Sequence, residues 1–367
     1  MKNAQRLPPS LTSLDLALEM MLRELKPVAA NGRPPLDTSP CEADDMPELR
    51  RWPPHDVAAV DGWALRAVGL VGASSYTPLP LTRQPPWVEA GEPIPDGCDC
   101  VLDDDSVDRS TPIAQALAEA IPGQGIRRKG GEIADPNRIV DAWRPGDLRQ
   151  VDLQQAMHRP RLRVVNVPGG AITATLIARS LRSAGIEFVS VEAAARDAAS
   201  IGRAIRADDC DLLLLVGGSG VGRTDAAVRA LAGRGEVLAH GLALQPGRTA
   251  AIGRIDGIPV IALPGAPDSA LAAWWALVLP VLDRLSGRPE RRTIDLPLAR
   301  KIASTVGIAE LVLLEQGEGA WTPLSVGDLA LEVVARADAW LVVPAASEGY
   351  AAGTPAGAYM LRERESP

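Results

Sequence analysis

Between Leu162 and Val216 three short apolar runs, LRVVNV, EFVSVE and DLLLLV, alternate with two segments of helical character, TATLIARSLRSAG and ASIGRAIRA. Val- and Leu-rich runs separated by helices imply parallel strands joined by right-handed crossovers, which restricts this stretch to an α/β domain. The pattern continues through a helix near Asp225 to Leu231 and a long helix from Pro267 to Leu285. Between them TAAIGRI and IPVIAL flank Asp256-Gly257, the dipeptide of a two-residue hairpin.

The flanking sequence has a different texture. Leu14, Leu18, Met21, Leu22 and Leu25 form a helical stripe over 12 to 26, which Thr12 or Ser13 caps and Pro27 ends. Residues 33 to 54 are rich in Pro and charge and read as extended connection. VAAVDGWAL and WVEAGEPIPDGCDCVL, broken by Gly and Pro, read as a small β-rich domain, with short helices expected at 111 to 120 and at Asp152 to Met157. Beyond SGRPER, the pieces TIDLPLA, ELVLLEQ, AWLVVPA and AYMLRE surround one helix near Leu329 to Ala337, the pattern of a C-terminal β domain. The expected division is a discontinuous helical and linker domain (10–54 with 123–160), a β-rich domain (55–122), the α/β domain (161–288) and the C-terminal β domain (289–367).

Over 367 residues, Lys and Arg number 38 and Asp and Glu 46, a formal charge of −8, which argues against a broad basic footprint for nucleic acid or an anionic membrane. Aromatics reach only 3%, too few for base-stacking platforms, so the cores rest on Ala, Val, Leu and Ile. Cys41, Cys98, Cys100 and Cys210 form no Cys-x-x-Cys, and His55, His158 and His240 form no pair at zinc spacing. No apolar leader opens the chain, and the longest apolar stretch, Ala270 to Leu282, falls short of a membrane span. The expectation is a cytoplasmic protein with free thiols, without nucleic acid or membrane.

VGGSGVGRTD, Val216 to Asp225, follows the strand DLLLLV directly. Glycines at 217, 218, 220 and 222 let a ligand approach the backbone, and a loop leading into a helix offers N–H groups to an anion. Its place at a carboxyl strand end of an open sheet is where such folds bind ligands. The spelling excludes a P-loop, the G-x-G-x-x-G fingerprint and the G-x-S-x-G elbow. A tight turn without a ligand is the equally weighted alternative. LPGAPDSA, 263 to 270, opens the long helix with Pro267 in its first turn and Ser269 near its N–H groups, or is simply a well-started helix. Asp61-Gly62 in VAAVDGWAL reads as a turn dipeptide or as a functional carboxylate. IRRKGGEI places Arg127, Arg128 and Lys129 beside Glu132, or forms a solvated basic turn.

Taken in order, SLDLALEMMLRELKPV, VDGWA, PIPDGCDCVL, IRRKGGEI, GGSGVG-x-x-D, LALQPGRTAAIG, LPGAPDSA, LARKIAS and ARADAWLVVP resemble the molybdopterin molybdenumtransferase family, MoeA in bacteria and the E domain of gephyrin. The resemblance implies an elongated, four-part subunit that forms a homodimer. It also implies binding of adenylylated molybdopterin and molybdate, with Mg²⁺-dependent release of molybdenum cofactor and AMP. By position it assigns Asp61, Glu132 and Asp225 to catalysis, with Asp61 and Asp225 also holding Mg²⁺. To the substrate it assigns Gly217, Gly218, Ser219, Gly220, Gly222, Arg248, Pro264, Gly265, Ser269, Arg127 and Arg128.

Several positions depart from the family pattern. Glu132 stands for an aspartate, Gly131 for a glutamate and Ala266 for an asparagine, and the KPGKP loop reads QPGRT, with Gln245 and Arg248. The usual Thr-Gly is Ala90-Gly91, the arginine expected near Gly307 is missing, and NVPGGAITA replaces an acidic loop after the first α/β strand. Alongside the insertase, the departures support a non-catalytic carrier that hands molybdopterin or its mature cofactor to an apo-molybdoenzyme. An interaction scaffold is a third reading.

Overall fold

The computed structural model describes residues 5–8, 10–29, 52–133 and 159–361. The chain divides into two compact units, one of residues 49–136 and one of residues 1–48 with 137–367. The helix expected at Asp152 to Met157 lies outside the described residues, as does most of the 33 to 54 connection.

The smaller unit is built from short antiparallel strands. Gly62–Leu65 sits between Trp87–Val88 and Cys100–Leu102, Gln115–Ala116 joins Leu79–Pro80 to Val107–Asp108, and Val57–Ala58 pairs with Ile126–Arg127. Trp63, Leu70, Cys100 and Leu102 form its core. The helix expected at 111 to 120 is absent. Ala116 is fully buried between two strands, and ten residues that include Pro112 nucleate a helix poorly when such pairing competes. The described part of the 123–160 segment packs on this unit, through Gly123 N–H to Asp99 O and Gln124 O from Val101 N–H.

In the larger unit a six-stranded sheet runs in the order Glu187–Glu192, Arg161–Asn166, Leu212–Val216, Ile258–Leu263, Ala251–Ile255, Glu236–His240. The first four are mutually parallel and the last two antiparallel. Leu212 to Leu215 are fully buried because helices cover both faces of a central parallel strand. The hairpin is present, with Asp256 at φ 50° and Gly257 at φ 82°, the two positive values that a type I′ turn demands.

The long helix is present but not uniform. Helical turns at Pro267–Ala273 and Leu279–Leu285 are joined by a π-helical segment, Trp274–Val278. Pro280 cannot donate to the carbonyl four residues back, and a widened turn just before it accommodates the ring. The N-terminal helix spans Leu14–Leu22, capped by Ser13, whose hydroxyl accepts the Leu16 N–H. It stops well before Pro27 because Glu24 turns left-handed at φ 65° and Arg254 Nη2 takes the carbonyls of Met20 and Arg23 at 3.1 and 2.7 Å.

A second sheet of this unit runs Thr12–Ser13, Leu242–Gln245, Ala309–Gln316, Ala339–Val343, Pro355–Met360, Ile294–Pro297, with Trp321–Val326 paired to Ala309–Gln316. Its core centres on Trp321, whose indole N–H donates to Ala356 O at 3.1 Å. The helix expected near Leu329 is Leu331–Arg336. Among the described residues no helix is long and apolar enough to cross a membrane.

Candidate functional site

The carboxyl ends of the parallel strands carry four loops that meet. Val167 and Pro168 follow the first strand, Arg196 the second, Gly217 to Asp225 the third, and Pro264 to Ser269 the fourth. A Cβ on Gly217, which has φ 90°, would lie 3.5 Å from Val167 Cβ and 3.9 Å from Gly265 Cα, so glycine here sets how closely three backbones approach. Thr173 Oγ1 donates to Gly265 O at 2.6 Å and ties the fourth loop to the first crossover helix. A Cβ on Gly247 would lie 3.4 Å from Ser269 O, which puts the QPGRT loop carrying Arg248 against the start of the long helix.

The glycine loop differs in one respect from the expectation that its following helix offers open N–H groups. Val228 N–H and Arg229 N–H donate to Gln5 Oε1 at 2.8 and 3.1 Å. The Gln5 amide donates in turn to Gly218 O at 3.0 Å and Gly220 O at 2.7 Å. Gln5 is 5% exposed and holds loop and helix together. Gly217 N–H bonds Leu263 O at 3.0 Å, and Gly222 N–H bonds Asp225 Oδ2 at 3.2 Å.

What remains open is the middle of the loop. Among the described residues no acceptor meets the N–H of Gly218, Ser219 or Gly220. Ser219 is fully buried and its Oγ has no hydrogen-bond partner among the described residues. Adjacent unpaired donors in a concave turn form an anion cradle, and buried donors left unpaired are rare enough to need an explanation. His240 Nε2 lies 2.9 Å from Ser219 O, and burial pushes its pKa below the ordinary value.

Asp225 is nearly buried. Its Oδ1 accepts from Arg196 Nη2 at 2.9 Å, and Arg196 Nη1 donates to Pro168 O at 2.8 Å. Arg229 Nη2 reaches the Asp225 carbonyl at 3.3 Å. At the start of the helix Pro267–Ala273, Asp268, 4% exposed, accepts the Ser269 N–H, and Ser269 lies in the same first turn.

The remaining expected residues lie in the smaller unit. Asp61 Oδ1 accepts the Ala90 N–H at 2.8 Å. The Asp-Gly pair is not a left-handed turn. Gly62 opens a strand, and a Cβ there would fall 2.2 Å from Leu102 O. Glu132 is 1% exposed and ion-paired with Arg127, so its carboxylate faces a guanidinium inside the unit. Arg128 pairs with Asp56 at 2.8 Å, and the Lys129 N–H also donates to Asp56, whose pKa these bonds lower.

Mg²⁺, implied by the resemblance on Asp61 and Asp225, does not fit at Asp225. A guanidinium holds one carboxylate oxygen and a backbone N–H the other, and a divalent cation there would face Arg196. Among the described residues no group of three or more His, Cys, Asp or Glu side chains is placed to hold a metal ion.

Gln5, Arg196, Arg229, Thr173 and Asp268 went unmarked in sequence. Arg196 stands next to Asp197, which caps the helix Ala198–Ala204 through the Ser200 N–H, and that cap was the only local signal.

Residues 12–152 match the family model of the MoeA N-terminal region (domain I and II), and residues 172–284 that of a probable molybdopterin binding domain. The molybdopterin molybdenumtransferase 2 of Mycobacterium tuberculosis is 28% identical over 286 residues, 65% of this chain and 70% of that protein. The molybdopterin molybdenumtransferase of Synechococcus elongatus is 26% identical over 400 residues, 94% of this chain and 98% of that one. The crystal structure of the molybdopterin biosynthesis MoeA protein from Pyrococcus horikosii aligns over 97% of this chain and 100% of its own, with TM-score 0.50 and 23% identity, which speaks to the fold. Two adjoining family matches over more than half of the chain, curated relatives of the same kind and the shared fold agree: the chain is a member of the MoeA family.

Proposed function

We propose that this protein works in molybdenum cofactor biosynthesis and seats the phosphate of molybdopterin, or of its adenylylated form, on the Gly217–Gly222 loop. One observation carries the reading: among the described residues the N–H groups of Gly218, Ser219 and Gly220 meet no acceptor, and the buried Ser219 hydroxyl has no hydrogen-bond partner. Leaving each such group unpaired costs about 1–3 kcal/mol, which a bound anion would recover. Pro264, Gly265 and Ser269 form the second wall, and Arg248 brings a cation on the loop beside Ser269.

In the fuller reading the protein accepts molybdate and adenylylated molybdopterin and releases molybdenum cofactor and AMP. Asp61, Glu132 and Asp225 are its acidic set, and Arg127 and Arg128 its further cations. Given the Arg196 contact, no step is assigned to Mg²⁺. The four-part division, a homodimer and a cytoplasmic setting belong to the same proposal.

A second reading, a carrier that binds the pterin without turnover for an apo-molybdoenzyme, is favoured by Asp225 being occupied and by the neutral Gln245, whose amide donates to Gly327 O at 3.4 Å. Incubation with adenylylated molybdopterin and molybdate, with and without Mg²⁺, separates the two. AMP release supports the insertase, tight binding without AMP supports the carrier, and failure of both defeats the pterin assignment.

A further inference from the structure

The pair Arg196–Asp225 is unequal in its exposure to solvent. The Arg196 side chain is 40% exposed and that of Asp225 12%, so an approaching ligand meets the cation first. The guanidinium is fixed from two sides, by Asp225 Oδ1 at 2.9 Å and by Pro168 O at 2.8 Å. It also packs tightly on the first loop, since a Cβ on Gly169 would come within 2.9 Å of Nη1. Arg229 Nη2 donates to the backbone carbonyl of Asp225 at 3.3 Å, so a second guanidinium lies at the same residue while the carboxylate itself is held by Arg196. Asp197, the neighbouring acid, directs its carboxylate to the Ser200 N–H of its own helix. The Nε atoms of both arginines are buried without an acceptor, as is Ser219 Oγ. The glycine loop is therefore flanked by two guanidiniums and a hydroxyl with unused hydrogen-bonding capacity, the electrostatic profile of a site for an anion.

We propose that Arg196 is the resident cation of this site: it takes the carboxylate that the family resemblance assigns to a metal, and it binds an anionic oxygen of the ligand, a phosphate monoester or similar oxyanion, without a divalent ion. The ligand class rests on the pterin-phosphate reading above, whereas the exclusion of metal from Asp225 rests on the ion pair alone. Arginine suits the task because its planar fork keeps one edge on Asp225 while other N–H groups address an anion, and it never loses its charge.

Two measurements on the full chain decide it. Mn²⁺ titration followed by electron paramagnetic resonance tests the ion pair without any pterin. Arg196→Ala is expected to gain one bound Mn²⁺ over the unsubstituted protein, and Arg196→Ala with Asp225→Asn to lose it again. The exclusion is overturned if the unsubstituted protein already holds a Mn²⁺ that Asp225→Asn removes, or if Arg196→Ala gains none. Calorimetry with molybdopterin tests the anion role. Binding should persist in excess chelator, weaken about tenfold or more in Arg196→Ala, and return in part with Arg196→Lys, circular dichroism showing each variant folded. Chelator-sensitive binding, or equal affinity in Arg196→Ala, overturns that role. Absence of any binding by the unsubstituted protein defeats the pterin reading and the anion role together, and leaves metal exclusion to the Mn²⁺ titration.

Discussion

The side-chain oxygen of Gln5 accepts the backbone N–H of Val228 at 2.8 Å across 223 positions of sequence. Its amide meets Gly218 O and Gly220 O, so one buried side chain fixes both the start of a helix and the carbonyls of the loop before it. Gln5→Ala leaves these groups unpaired in a buried setting and should destabilise the larger unit by about 1–3 kcal/mol. Gln5→Glu keeps the acceptor and sets a carboxylate against the two carbonyls, and should also destabilise. Urea denaturation measures both, and neither substitution shifting the midpoint would remove Gln5 from the account.

Gly62 has no room for a side chain, since a Cβ there would fall 2.2 Å from Leu102 O. Gly62→Ala should separate two strands of the smaller unit and lower its melting temperature by several degrees, as steric insertions into a packed sheet cost about 1–3 kcal/mol. Gly69→Ala is the matched control, because nothing lies within 4 Å of a Cβ at Gly69. Calorimetric melting that shows equal effects for the two contradicts the close approach.

His240 supplies a pH dependence of known sign. Burial depresses its pKa below the ordinary 6.5, against a smaller opposite effect of the Ser219 carbonyl. Above that ordinary value both folded and unfolded states are neutral and the contribution is whole. As pH falls, the unfolded chain protonates first and stability is lost down through the folded pKa. Unfolding free energy should therefore decline as pH falls through the ordinary imidazole value of 6.5 and below it, and His240→Gln should flatten that decline. An unchanged slope in His240→Gln assigns the decline elsewhere.

The parallel order of the α/β sheet, its hairpin and its glycine loop were legible because each follows from local spelling: buried Val and Leu runs, Asp256-Gly257, and glycines after a strand. The 111 to 120 segment misled because strand pairing from Val107 and Leu79 overrode an Ala-rich helical look. Asp61, Glu132 and Asp225 were legible as residues, and Arg127 was legible beside Glu132, but the partners of Asp61 and Asp225 were not. Arg196 lies 29 positions from Asp225 and Gln5 lies 223 from Val228, and contacts of that separation leave no periodic trace. At Ala90, where the family pattern has a threonine, the contact to Asp61 is made by the backbone N–H, so it needs no particular side chain.

The central claim is that the Gly217–Gly222 loop is an anion cradle for a phosphorylated pterin, and Ser219→Ala tests it most directly. Ser219 is fully buried with an unpartnered hydroxyl, so its removal disturbs no internal bond of that side chain and should leave stability within about 1 kcal/mol. Calorimetric titration with molybdopterin should show one site in the unsubstituted protein and about tenfold or greater weakening in Ser219→Ala, the worth of one hydrogen bond to a charged group. Equal affinity in the two proteins, or no binding by either, contradicts the claim.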